Sequence, residues 1–192
     1  MGIYLTATGL YVPADKITNE ELVTAFNTYV DKYNKTHEKA IENGEKTALQ
    51  YSTVEFIEKA SGIKSRYVFD KKSILNPDIM APKIPSRKLG EELSVMAEMG
   101  AKALQNALDR AGLKADDLDG IICACSNFQR AYPAIAIEIQ HAVAMSHGFA
   151  YDMNVACSAA TFAISQAVGS IKSGLAKKIA IVNVEVFSAH LN

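Results

Sequence analysis

Several things this sequence lacks narrow its reading before any motif is considered. Its 192 residues include only three Cys, 5 Pro and 11 Gly, and its formal net charge is -1. An odd, small number of cysteines argues against a disulfide framework and fits a reducing cytoplasm. So few Gly and Pro exclude a collagen-like or low-complexity chain. A charge this close to zero leaves no footprint for nucleic acid or an anionic membrane surface. Nothing approaches the roughly 20 uninterrupted apolar residues of a membrane span. The opening Met1-Gly2-Ile3-Tyr4-Leu5 has neither the basic region nor the apolar run of a signal peptide. Phosphate-cradling Gly-x-x-x-x-Gly-Lys, Gly-x-Gly-x-x-Gly and Gly-x-Ser-x-Gly patterns are missing, which disfavours NTPases, dinucleotide enzymes and serine hydrolases.

What is present is a chain 49% apolar, enough for a sizeable core in one domain or in half of a larger fold. Charge is uneven. Residues 120–192 carry only Arg130, Glu138, Asp152, Lys172, Lys177, Lys178 and Glu185, so this part is expected to be mostly buried.

The segment Ile3–Val12 is β-rich and stops at Pro13, which predicts a strand. Thr18 followed by Glu21 has the spacing of a capping box and predicts a helix start. Asp31–Lys46 turns to Lys, Glu, Asn and Thr, as an exposed helical or loop insertion would; His37 within it has no metal-ligand spacing. Asn76–Pro85 holds three of the five prolines and cannot be continuous helix. Leu89, Leu93, Met96, Ala97, Gly100, Leu104 and Leu108 predict an amphipathic helix over about Lys88–Ala111, stopped by Gly112. Strands at Gly120–Cys125, Phe149–Met153 and Ile179–Val184 then alternate with helices at about Ala134–Met145 and Ser158–Ser173. Alternation of this kind indicates an α/β layered fold with a mostly parallel sheet.

Most reactive side chains have ordinary explanations. Cys123 and Cys125 share one face of an apolar strand, and a lone Cys-x-Cys is a poor zinc site, so no metal is expected. His141 and His147 flank a helix end and suit its C-terminal dipole. Cys157 differs, because it falls where a buried strand meets a long, alanine-rich helix. There the unpaired N–H groups and positive dipole end of the helix stabilise a thiolate, the nucleophilic form of cysteine. The helix has Ala159, Ala160, Ala163, Ala167 and Gly169, and could be enclosed on nearly all sides. The other reading of Cys157 is a third core cysteine.

In order, the landmarks Ala7–Pro13, Thr18–Leu22, Ser61–Arg66, Ala107–Leu113 with Asp116–Asp119, Tyr132-Pro133-Ala134, Asp152–Ser158 and Lys172-Ser173-Gly174 resemble the N-terminal half of the thiolase superfamily. They are most similar to β-ketoacyl-[acyl-carrier-protein] synthase III. The resemblance runs along residues 1–192 apart from two insertions, about 27–50 and 74–88. It implies a thiolase-like layered fold, the first of two related halves. It also implies an acyltransferase that condenses an acyl thioester, from CoA or acyl-carrier protein, with malonyl-acyl-carrier protein in fatty-acid or related synthesis. Carried over, Cys157 accepts the acyl group, and its own backbone N–H is one oxyanion-hole donor. Tyr132 matches an aromatic residue that reaches into a partner subunit and shapes the end of the acyl pocket, implying a homodimer; an ordinary aromatic at a loop–helix junction is the other reading.

The departures are specific. Phe56 and Ala60 occupy the positions of a Trp and an Arg that hold the adenine end of coenzyme A. Phe56 can still stack, but Ala60 cannot hold a phosphate, which favours a carrier-bound acyl donor or a different grip. Ala159 stands where the family often has Gly. None of His37, His141, His147 or His190 lies in the family's His motif, so the His and Asn that promote malonyl decarboxylation are expected in a C-terminal half absent from this chain. No cofactor is implied. Two alternatives remain open: another superfamily enzyme, of hydroxymethylglutaryl-CoA synthase or polyketide-starter type, or a non-catalytic thiolase-like subunit that binds acyl-carrier protein.

Overall fold

The computed structural model describes residues 2–187, so His190 lies outside the described residues. The chain forms two compact units, one of Pro13–Pro85 and one of the segment up to Val12 with Ser86–Glu185.

In the first unit a short strand, β1 (Lys16–Thr18), leads directly into α1 (Asn19–Thr36). The capping box forms as the Thr18/Glu21 spacing predicts. Glu21 N–H donates to Thr18 Oγ1 at 3.3 Å, and Thr18 N–H donates to Glu21 Oε2 at 3.0 Å. Next come α2 (Glu38–Glu42) and α3 (Val54–Ser61), which Gly62 ends in the left-handed conformation at φ 70°. β2 (Ser65–Tyr67) returns antiparallel to β1, and α4 (Lys71–Ile74) follows. Ile17, Val68 and Ile74 form a small core with Leu22 and Leu75. The polar stretch after Asp31 is helical and mostly exposed, as its composition predicts. The strap after it is tied down by side-chain amides. Asn34 exchanges hydrogen bonds with the Leu49 backbone at 2.9 and 3.0 Å, and Asn27 does the same with Ser52 at 2.9 and 3.1 Å. The proline-rich loop is irregular, and Asp70 anchors it by accepting N–H groups from Ser73 (3.0 Å) and Lys83 (2.8 Å).

The second unit corrects three expectations. Ile3–Val12 is not a strand: it joins no ladder among the described residues and lies along α5 (Val95–Ala111) instead. Leu10 N–H donates to Asn106 at 3.1 Å, Arg110 donates to the Thr8 carbonyl at 3.0 Å, and Gly9 fits against the Ala103 and Ala107 backbone. Helix α5 itself begins at Val95 and not near Lys88. Gly90 turns the chain at φ 82°, and Ser94 supplies the cap, accepting the Ala97 N–H at 3.1 Å. Leu89 is therefore exposed rather than part of the buried face.

Strands β3 (Gly120–Cys125), β4 (Phe149–Asn154) and β5 (Ile179–Val182) make a parallel sheet in the order β4-β3-β5, crossed over by α6 (Ile135–Ala142) and α7 (Ala159–Lys172). This is the alternating layout that the apolar runs predict. Central β3 is buried along its whole length. Its Ile122 and Ala124 pack against Ala159, Ala163 and Ala167 of α7. The expected burial stops there. Edge strand β4 is half-exposed, and α7 turns Phe162 (51% exposed) and Ile164 (52%) outward. The scarcity of charge after residue 120 thus reflects an apolar outer face as well as a core.

Candidate active site

The sheet delivers Cys157. β3 and β4 run in register, with Cys123 opposite Asp152 and Cys125 opposite Asn154, and the Val155 N–H extends the pairing to the Cys125 carbonyl at 3.3 Å. The chain then turns at Ala156, whose φ of 48° is a left-handed conformation that disfavours a Cβ. A single turn of 3-10 helix, Ala156–Ser158, follows, closed by Ser158 N–H to the Val155 carbonyl at 3.2 Å. α7 starts at Ala159, and Ser158 gives it no side-chain cap. Cys157 therefore sits beyond the carboxyl end of the sheet and at the N-terminus of a 14-residue helix. Open α/β sheets hold their ligands at strand carboxyl ends, and the helix N–H groups favour negative charge there.

The three thiols divide sharply. Cys157 is exposed, whereas Cys123 and Cys125 are buried on β3. Contact with Cys125, together with burial, pushes the Cys123 thiol far above the usual thiol range. Cys125 Sγ is occupied by the Asn127 carbonyl at 3.2 Å. Only Cys157 has the accessibility that a nucleophile needs.

Tyr132 lies in the same unit, 80% exposed, in the loop from β3 to α6 and just before a cis peptide bond to Pro133. The loop around it is fastened at several points. Ser126 N–H donates to Glu185, and Gln129 Oε1 accepts the Met96 N–H at 3.2 Å. Arg130 reaches the Glu92 carbonyl and Glu138, both at 3.3 Å. On the far side, Asp152 accepts the N–H groups of Ile135 and Ala136, each at 2.8 Å. Phe56 lies in the other unit, 67% exposed in the first turn of α3, where Thr53 Oγ1 accepts its N–H at 3.1 Å. Cys157 and Tyr132 thus share one frame, and Phe56 belongs to another.

Sequence reasoning singled out the three site residues but assigned no task to Asp152, Glu138 or Arg130. A signal for them exists. In a stretch so poor in charge, each charged residue must be either a solvated tip or a partnered buried group.

Comparison with known proteins identifies the family and the fold. Residues 81–191 match the sequence profile of the thiolase N-terminal domain. A β-ketodecanoyl-[acyl-carrier-protein] synthase of Pseudomonas aeruginosa is 52% identical over 168 residues, covering 88% of this chain and 47% of that protein. A β-ketoacyl-[acyl-carrier-protein] synthase III of Rhizobium rhizogenes is 39% identical over 109 residues, 57% of this chain and 34% of the relative. The chain therefore spans about half, or less, of the length of the curated relatives it matches. Among solved structures, 3-oxoacyl-[acyl-carrier-protein] synthase III of Aquifex aeolicus VF5 shares the fold at TM-score 0.69 and 24% identity, over 97% of this chain and 46% of that one. The corresponding enzyme of Pseudomonas aeruginosa PAO1 does so at 0.67 and 18%, over 97% and 43%.

Proposed function

Because this chain belongs to the thiolase family through its N-terminal domain, we propose that it is the nucleophile-bearing half of a β-ketoacyl-[acyl-carrier-protein] synthase. The observation that carries the proposal is Cys157: an exposed thiol on a strained turn, beyond a parallel sheet and before an uncapped helix.

In this reading the Cys157 thiolate attacks the carbonyl of an acyl thioester and expels the carrier thiol, leaving an acyl-enzyme. Its own backbone N–H is one donor to the oxyanion of the tetrahedral intermediate. Malonyl-acyl-carrier protein then loses CO2, and the resulting enolate attacks the acyl carbonyl. The new carbon–carbon bond releases Cys157 as thiolate and the product as a β-ketoacyl thioester. The groups that polarise the malonyl carbonyl are assigned to a C-terminal half outside residues 1–192, and residues about 27–50 and 74–88 are assigned as insertions on the N-terminal one.

Tyr132 closes the far end of the acyl pocket across a homodimer interface, which its exposed position on a fastened loop supports. The relative named for a β-ketodecanoyl product supports a medium-length acyl group: removing the two carbons added by condensation leaves an eight-carbon donor. Phe56 stacks on a substrate ring, which its exposure on α3 supports, and Ala60, offering no charge for a phosphate, favours a carrier-bound donor. Three free thiols and the lack, among the described residues, of a helix able to cross a membrane support a cytoplasmic setting.

The test is product formation by full-length protein given an acyl thioester and malonyl-acyl-carrier protein. Mass spectrometry should find a β-ketoacyl carrier, and Cys157→Ala should abolish it. Undiminished product from Cys157→Ala would refute the assignment.

A further inference from the structure

We propose that two carboxyl side chains, Asp152 and Glu138, are positioning residues that hold Tyr132 at a fixed place on its own unit, so that it enters the partner subunit's acyl pocket in one position and sets the acyl length accepted there. The inference rests on the reading above of Cys157 as acyl acceptor and Tyr132 as the end of the pocket.

The starting point is a helix with no cap of its own. Residue Ala134, just before α6, has no side-chain acceptor, and the residue before it, Pro133, has no N–H. Asp152, from the neighbouring strand β4, supplies what is missing. Its Oδ2 accepts Ile135 N–H and its Oδ1 accepts Ala136 N–H, both at 2.8 Å. Asp152 lies five positions before Cys157 on the strand that delivers it, and Ile135 lies three positions after Tyr132. One side chain therefore bolts the nucleophile's strand to the root of the Tyr132 segment.

Glu138 holds the other side. It is 6% exposed, and its Oε1 accepts Ser94 N–H at 2.8 Å while Oε2 accepts the Ser94 hydroxyl at 2.7 Å. Arg130, two residues before Tyr132, donates to the same Oε1 at 3.3 Å and to the Glu92 carbonyl at 3.3 Å. Charged groups in a buried network specify one arrangement, because any other strands them without partners. Between these anchors the Tyr132 side chain is 80% exposed. Its position is thus set from behind, through the backbone on either side.

The experiment uses full-length protein and four variants: Asp152→Asn, Glu138→Gln, Tyr132→Ala and the double variant Asp152→Asn/Tyr132→Ala. Asparagine keeps the shape of aspartate but turns one acceptor into a donor facing an N–H. Acylation of Cys157 is timed with four-, eight- and twelve-carbon thioesters, and hydrogen exchange is followed across 126–136. Asp152→Asn and Glu138→Gln should each speed exchange in that segment and change the eight- to twelve-carbon rate ratio by about tenfold, as loss of positioning does. Asp152→Asn should change that ratio no further in the Tyr132→Ala background, the non-additivity expected of residues acting through one another. Unchanged exchange in both single variants would overturn the positioning role. Faster exchange with an unaltered length ratio, or additive effects in the double variant, would leave these carboxyls with a structural role only and overturn the proposal as well. If Asp152→Asn fails to fold, Glu138→Gln, which loosens the opposite anchor, decides on the same criteria. Failure of the wild-type protein to take any acyl group would instead refute the reading of Cys157, and the exchange data would still report on the anchors.

Discussion

Asp119 and Lys178 are bound to each other twice. The Asp119 N–H donates to the Lys178 carbonyl at 2.8 Å, and the Lys178 N–H donates back to Asp119 Oδ2 at 2.9 Å. The same oxygen accepts the Lys177 N–H at 2.6 Å, and the Asp119 carbonyl accepts the Phe149 N–H at 3.1 Å. One residue ahead of β3 therefore gathers the entrances of all three parallel strands. The site at their opposite ends inherits this alignment.

A pH dependence follows from that junction. The backbone N–H groups of Lys177 and Lys178 hold the Asp119 carboxyl below its ordinary range, and the Ser146 N–H and hydroxyl do the same for Asp116. Groups lowered in the folded state contribute stability above their unfolded pKa of about 3.9, and this is lost as pH falls through the lower folded value. Asp119→Asn should thus be less stable than wild type at neutral pH and lose less on acidification below about pH 5. Melting temperatures measured from pH 7 to pH 2 check this. Parallel curves for the two proteins would contradict it.

Gly9 has no room for a side chain. A Cβ there would stand 2.1 Å from the Ala103 carbonyl oxygen and 2.5 Å from the Ala107 nitrogen, both backbone atoms of α5. Gly9→Ala should cost about 1–3 kcal/mol by overpacking, read from urea denaturation. Unchanged stability would mean that the N-terminal segment does not lie along α5.

Ala156 carries the strain of the turn before Cys157. At φ 48° a Cβ is disfavoured by about 1 kcal/mol relative to glycine. Ala156→Gly should be neutral to slightly more stable, while Ala156→Val should be destabilised and slow the reaction of Cys157. A stabilising Ala156→Val would contradict the left-handed turn.

Ile122 is fully buried beneath α7. Ile122→Ala should cost about 2–5 kcal/mol and loosen the helix that follows Cys157. A loss well under that range, by denaturant titration, would contradict the packing of α7 on β3.

The sequence was readable where local chemistry decides the structure. The Thr18/Glu21 cap, the stop at Gly112 and the fully apolar β3 all form as their residues predict. It misled where the outcome depends on neighbours. Ile3–Val12 has strand composition but joins no ladder among the described residues, and Phe162 and Ile164 are as apolar as any core residue yet face outward. The start of α5 was hidden because Leu89 and Leu93 continue its spacing, although Gly90 breaks the backbone before Ser94 caps it. The junction of strand and helix that carries Cys157 was legible. Asp152 and Glu138 were not, because what they do depends on Ile135, Ala136 and Ser94, which only the folded chain brings to them.

Intact-mass spectrometry of full-length protein incubated with an eight-carbon acyl thioester tests the central claim most directly. We predict one acyl adduct per chain, mapped to Cys157 by peptide analysis and absent from Cys157→Ser, with Cys123 and Cys125 unmodified. No adduct on the wild-type protein, or an adduct that persists in Cys157→Ser, would contradict the account.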